Sequence, residues 1–194
     1  MSAALQPPPR HMTVEEFLAW DPPAGDPDRW ILRDGVPEMM GTPSQAHAAI
    51  QAELALLIGL HLRDRDMPCR VLTAGGVIPA FRREENMLSP DLAVTCDPAF
   101  RQHAIPNPVV LIEILSPSNA RETHANLAAF ATIPSVAEIV VLESERIGAE
   151  VMRRGADGQW GAPVERLGAE DMLRLPAIGF AAPLRAAYRT AGLV

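Results

Sequence analysis

The run Val109-Val110-Leu111-Ile112-Glu113-Ile114-Leu115-Ser116 limits the fold of this chain more than any other segment. Its unbroken aliphatic character reads as a β-strand buried on both faces. One carboxylate, Glu113, stands near its centre. An ionised carboxylate buried without a partner is destabilising, so such a group pairs, takes up a proton or binds a cation. Asp91, at the head of the apolar run Leu92-Ala93-Val94, is the obvious companion. Two carboxylates on adjacent strands make a site for a hard divalent cation. The residues alone fit a structural pair equally well, with Glu113 meeting an arginine or a backbone amide.

A chain of 194 residues suits one domain. Residues 12–194 are expected to form it, behind a loose arm over 1–11. At this length folding removes roughly 70% of the extended chain's surface, so the core needs no disulfide or structural metal. Cys69 and Cys96 stand isolated, with no CxxC pair and no disulfide framework. A reducing cytoplasm is the expectation. No charged-then-apolar leader and no apolar run near roughly 18 residues is seen, so no membrane segment is expected. All 17 basic side chains are arginine. Chemistry that needs a lysine amine therefore requires a substitute. The net charge of −7 argues against broad duplex binding, which rests on basic surface.

Thr13 and Glu16 make a capping box for a short helix over 12–20. Asp34-Gly35 marks a hairpin over 29–40. A long helix is expected over 43–62, with an apolar stripe of Ala49, Ala52, Leu56 and Leu60 beside Ile50, Leu54 and Leu57. Strands follow over 69–73, 76–81, 90–96 and 109–115, then a helix over 120–133. Further strands cover 137–143 and 147–154. A short helix begins at 169–173 and an amphipathic one closes the chain at 183–190. The order predicts an α/β domain, one mixed sheet flanked by helices, with an N-terminal helix and hairpin as an extension.

Alternation puts Val109, Leu111, Glu113 and Leu115 on one face of their strand, and Asp91, Ala93 and Thr95 on one face of theirs. If the strands are neighbours, Asp91 and Glu113 converge. Two such anions resist joint ionisation unless a cation lies between them. The Ile114 carbonyl offers a third oxygen for Mg²⁺ or Mn²⁺. A cation there would acidify water and stabilise charge on a phosphate under attack.

Pro90-Asp91 followed by Glu113 on a buried strand resembles the PD-(D/E)XK nuclease arrangement. More closely, the chain resembles the Uma-type restriction endonuclease family. The residues carrying that likeness are Met12 to Leu18, the Asp34-Gly35 hairpin, Pro43-Ser44 with His47, Ser89 to Leu92, Ile112 to Ser118, and Phe130 to Ile139. The likeness implies a restriction endonuclease-like core and an endonuclease that hydrolyses phosphodiester bonds of nucleic acid, DNA first. Asp91 and Glu113 would be its metal ligands, with the Ile114 carbonyl. Pairing into a homodimer is also implied. Three positions depart from the nuclease and family patterns. Leu115 stands where the nuclease pattern has a lysine, and Asn126 matches the lysine that many Uma-like chains carry on the next helix. Ile31 stands where a glutamate often precedes the hairpin turn.

Asparagine can orient water but carries no charge, so Arg121 or His124 on the same helix is expected to supply one. His47 opens the long helix, where it either serves the site or makes a local hydrogen bond. Glu53 reads as a solvated helix residue or a third acid. His61 and His103 read as surface, Asp34 as a turn residue, and Glu143 and Glu145 as a strand end in water. The charge of Arg82-Arg83 is largely cancelled by Glu84-Glu85. Trp20, Trp30 and Trp160 read as core or interface residues, too scattered for base stacking. Two functions stand side by side. One is a Mg²⁺- or Mn²⁺-dependent endonuclease using Asp91, Glu113, Asn126 and His47. The other is an inactive nuclease-like binding or assembly module, dimeric in either case.

Overall fold

A computed structural model describes residues 11–22, 30–100, 103–117, 120–161 and 163–193. The expected arm, apart from His11, and most of the loop at 21–28 lie outside them. Helix α1 (Val14–Ala19) opens on the expected capping box: Glu16 N–H donates to Thr13 Oγ1 at 3.2 Å, and Thr13 N–H to Glu16 Oε2 at 2.7 Å. Strands β1 (Trp30–Arg33) and β2 (Val36–Met39) form the hairpin. Asp34 and Gly35 both take positive φ, 47° and 76°, as a two-residue turn between right-twisted strands requires.

The main sheet has six strands in the order β3-β4-β5-β6-β7-β8. Strands β3 (Arg70–Thr73), β4 (Leu92–Thr95) and β5 (Pro108–Leu115) form an antiparallel meander. Helix α3 (Ala120–Phe130) then crosses over, so β6 (Glu138–Glu143) lies parallel to β5. Strands β7 (Ala149–Arg153) and β8 (Glu165–Leu167) continue antiparallel. Strand β5 is central, as its aliphatic run requires. Val110, Ile112 and Ile114 face the long helix α2 (Gln45–Asp64), while Leu111 faces Phe130 of α3. Each such side chain contributes roughly 1.5–3 kcal/mol when fully buried.

Several expectations are corrected. The buried stripe of α2 is Ile50, Leu54, Ile58 and Leu62, spaced four apart, whereas Leu56 and Leu60 are exposed. Residues 76–81 form no strand; Val77 makes a single bridge to Leu88, and Pro79 has no N–H to extend the ladder. No helix begins at 169–173. The Asp171 carboxylate instead accepts the Gly168 N–H at 2.8 Å, closing a turn. Strand β9 (Met172–Leu175) follows and pairs with β10 (Phe180–Pro183). The closing helix is a 3-10 helix over Leu184–Tyr188. Cys69 and Cys96 are joined by a disulfide, because they flank the cross-strand pair Arg70 and Thr95 of β3 and β4. With the two cysteines paired, isolated thiols no longer point to a reducing compartment. No helix among the described residues is long and apolar enough to cross a membrane.

Candidate functional site

The site is built where β4 stops pairing with β5. Leu92 pairs with Ile112, and Asp91 bends away just before it. The strand β5 runs on past that point, so its backbone is free to meet the Asp91 side chain. Ile114 N–H donates to Asp91 Oδ2 at 2.7 Å. The carbonyls of Val109 and Leu115 accept from Ala137 and Ser144 on the β6 side. Backbone groups alternate along a strand, so the Ile114 carbonyl leaves on the opposite side, toward Asp91. The Asp91 main chain is fixed too: its carbonyl accepts from Gln51 Nε2 at 2.7 Å and from Ala74 N–H at 3.2 Å.

His47 reaches the same carboxylate from the first turn of α2. Ser44 caps that helix, accepting the His47 N–H at 3.2 Å, and the buried ring places Nε2 2.9 Å from Asp91 Oδ1. Glu113 is 5% exposed, on the α3 face. Asn126 Nδ2 of α3 donates to its Oε1 at 3.0 Å. Asn126 Oδ1 in turn accepts from Arg33 Nη2 at 2.9 Å, and Arg33 Nε donates to Glu38 Oε2 at 2.9 Å. Asp91, Glu113, Asn126, Arg33 and Glu38 therefore form one polar chain from the sheet to the hairpin.

Burial drives the Glu113 pKa well above the usual carboxylate range. The Asp91 charge and a hydrogen bond shared with it push the same way; Asn126 and the more distant Arg33 oppose. Among the described residues the other two buried glutamates each meet a cation, although burial raises the Glu138 pKa as well. Glu138 is met directly by Arg153 Nε at 3.1 Å and by the Ala177 N–H at 3.0 Å. Glu53 is met by Arg189 at 3.1 Å and Thr190 Oγ1 at 2.9 Å, which hold its carboxyl below the usual range. Glu113 alone of the three faces another acid instead of a cation.

A family model described as "Uma2: Putative restriction endonuclease" matches residues 14–185. The chain belongs to the Uma2 family. An uncharacterized protein of Synechocystis sp. is 27% identical over 181 residues, covering 92% of each chain. The crystal structure of "a putative nuclease belonging to DUF820" from Anabaena variabilis superposes with a TM-score of 0.71 at 17% identity. That match covers 93% of this chain and 99% of the other. The α/β fold of this Uma2 chain, a mixed sheet flanked by helices, is thus also that of the Anabaena protein.

Within this Uma2 member, Asp91, Glu113, Asn126, His47 and the Ile114 backbone all meet in one place. The other candidates do not. Glu53 is neither solvated nor at the site; it anchors the C-terminal 3-10 helix. His61 is no surface residue: its Nε2 lies 2.9 Å from the Ile178 carbonyl and its ring stands edge-on to Phe180. Arg121 and His124 are exposed on α3, and the guanidinium that reaches Asn126 is Arg33. The Arg33 role was missed. Strand alternation could have found it, since Ile31 faces the core and Arg33 shares its face.

Proposed function

We propose that this chain is a Mg²⁺- or Mn²⁺-dependent endonuclease acting on nucleic-acid phosphodiesters, DNA first, with Asp91, Glu113 and the Ile114 carbonyl as metal ligands. One observation carries the reading: a buried glutamate, in direct contact with no cation among the described residues, is held against a second acid. The donors are all hard oxygens, which fits Mg²⁺ or Mn²⁺ and fits zinc poorly. When bound, such a cation acidifies water and stabilises charge on the phosphodiester.

The protein's own groups do the rest. His47 and the Ile114 N–H orient the Asp91 carboxylate. Asn126 orients Glu113 and transmits the Arg33 position to it. Arg33 supplies the positive charge that a lysine at position 126 would bring. Its high pKa confines it to electrostatics, with no part in proton transfer. Homodimer formation belongs to the same reading and is read out by sedimentation.

The test is calorimetric titration with Mn²⁺ of the wild type and of Asp91→Asn/Glu113→Gln. Saturable binding lost in the double variant is expected, followed by metal-dependent cleavage of DNA or RNA. One observation favours the inactive module instead: His47 and the Ile114 amide already engage both Asp91 oxygens. Absence of Mn²⁺ binding to the wild type would decide for that module.

A further inference from the structure

The first two turns of α2 hold both the side chain and the main chain of one residue, Asp91. His47 and Gln51 stand four positions apart, so they share a face of the helix, one turn from each other. The buried His47 ring meets the Asp91 side chain, with Nε2 2.9 Å from Oδ1. The half-buried Gln51 meets the main chain, its Nε2 donating to the Asp91 carbonyl at 2.7 Å. Ser44 fixes the start of the same helix by accepting the His47 N–H.

Asp91 lies at an open end of the sheet. Pairing of β4 with β5 begins one residue later, at Leu92. On the other side, Ala74 N–H extends the ladder by one bond past the Thr73 and Leu92 pair, reaching the Asp91 carbonyl at 3.2 Å. The chain then turns away into Gly75-Gly76, with Ala74 already at a φ of 49°. Such an end opens more readily than the interior of a sheet. The Ala74 N–H already satisfies the carbonyl for folding, and an oxygen with two lone pairs has room for a second donor. The Gln51 bond therefore rescues no orphaned group; it ties the open end to a long helix.

We propose that Gln51 is a positioning residue of the acid pair, fixing the Asp91 main chain so that its carboxylate is held toward Glu113 for a divalent cation. The inference rests on the metal reading given above. With the main chain held between α2 and β3, only the Asp91 side-chain torsions remain, and His47 and the Ile114 N–H set those. Without Gln51, the His47 ring is the one contact described between α2 and Asp91. Groups that orient a metal ligand from behind change metal affinity by roughly 10- to 100-fold, and a main-chain contact belongs at the lower end.

The test is calorimetric titration of the full chain with Mn²⁺, after thermal melts in EDTA have set a temperature at which every protein is folded. Gln51→Met keeps the side-chain length and loses the donor. Thr190→Val is the comparison: it removes the hydroxyl that meets Glu53, also on α2 and away from the acid pair. Gln51→Met is expected to weaken Mn²⁺ binding by roughly tenfold, and Thr190→Val to bind like the wild type. Gln51→Ala, smaller and a better helix former, gives the same reading if Gln51→Met does not fold. Equal affinity in the wild type and the Gln51 variants would overturn the inference, and Gln51 would then only fasten α2 to β4. Equal weakening in Thr190→Val would overturn it too, because any loosening of α2 would do the same. Both of these outcomes leave the metal reading standing. A wild type that binds no Mn²⁺ ends that reading, and this inference with it.

Discussion

Glu113→Gln should make the metal-free protein more stable, although it removes a proposed catalytic group. The substitution keeps an Oε1 acceptor for Asn126 and turns a repelling oxygen into a donor for Asp91. Two carboxylates at about 4 Å, as a shared hydrogen bond demands, repel by roughly 4 kcal/mol at an effective dielectric near 20. Arg33, one asparagine further off, returns about half of that at roughly twice the distance. Protonation sets a second bound. A raised pKa means that the folded state gives up stability as pH climbs above the unfolded value of 4.5. That loss is about 1.4 kcal/mol per pH unit until the folded pKa is reached, hence at most about 3.5 kcal/mol at pH 7. A gain of about 2 kcal/mol for Glu113→Gln at neutral pH follows, or roughly 4–8 °C in Tm for a domain of this size. Thermal melts in EDTA at pH 4, 6 and 8 measure it. The gain should be near zero at pH 4 and grow toward pH 8. Saturating Mn²⁺ should then stabilise the wild type and leave the variant unmoved. A variant destabilised equally at every pH would refute the reasoning.

Other outcomes follow from named contacts. Arg33→Met should slow single-turnover cleavage by roughly 10²-fold, and Asn126→Lys in that background should restore part of the rate; no rescue would mean that Arg33 only braces the hairpin. Mn²⁺ affinity should fall as pH is lowered, because Glu113 must release its proton to bind; calorimetry at pH 5.5 and 8 reads this. Tyr188→Phe should lower stability by about 1–2 kcal/mol in a urea melt, since the buried hydroxyl donates to the Gly148 carbonyl at 2.7 Å. Cys69→Ser/Cys96→Ser should lower it by roughly 2–4 kcal/mol and abolish any response of the melt to reductant.

The legible parts of the fold were those in which one local rule acts over many residues. Strand β5 announced itself by six aliphatic residues within a run of seven, and the hairpin by Asp34-Gly35. The C-terminal part was misread because its strands are only three or four residues long. Over so short a stretch, Ala169-Glu170-Asp171 looks like a helix start until the Asp171 side chain is seen to close a turn. The disulfide was hidden for another reason. Pairing Cys69 with Cys96 needs the register of β3 against β4, which neither cysteine's neighbourhood reveals. At the site, Asp91, just ahead of β4, and Glu113 on β5 were readable from burial and alternation. Arg33 sits 93 positions from the asparagine it touches, and only tertiary packing brings them together.

That packing also links the two departures from the family's pattern. The resemblance implies a glutamate at position 31 and a lysine at position 126, where this chain has Ile31 and Asn126. Ile31 stands directly opposite Glu38 in the β1–β2 register, so the hairpin still carries a carboxylate, on its other strand. Asn126 carries no charge, yet it is hydrogen-bonded to Arg33, which the same Glu38 holds in place. One acid and one base therefore remain within a few hydrogen bonds of Glu113, both now supplied by the hairpin. An exchange of this kind conserves the local charge while changing its chemistry, since a guanidinium keeps its proton where an ammonium can yield it. For a site whose Glu113 is already hard to ionise, a permanent charge at Arg33 is the more dependable counterweight. It is also the one that a chain built without lysine can provide.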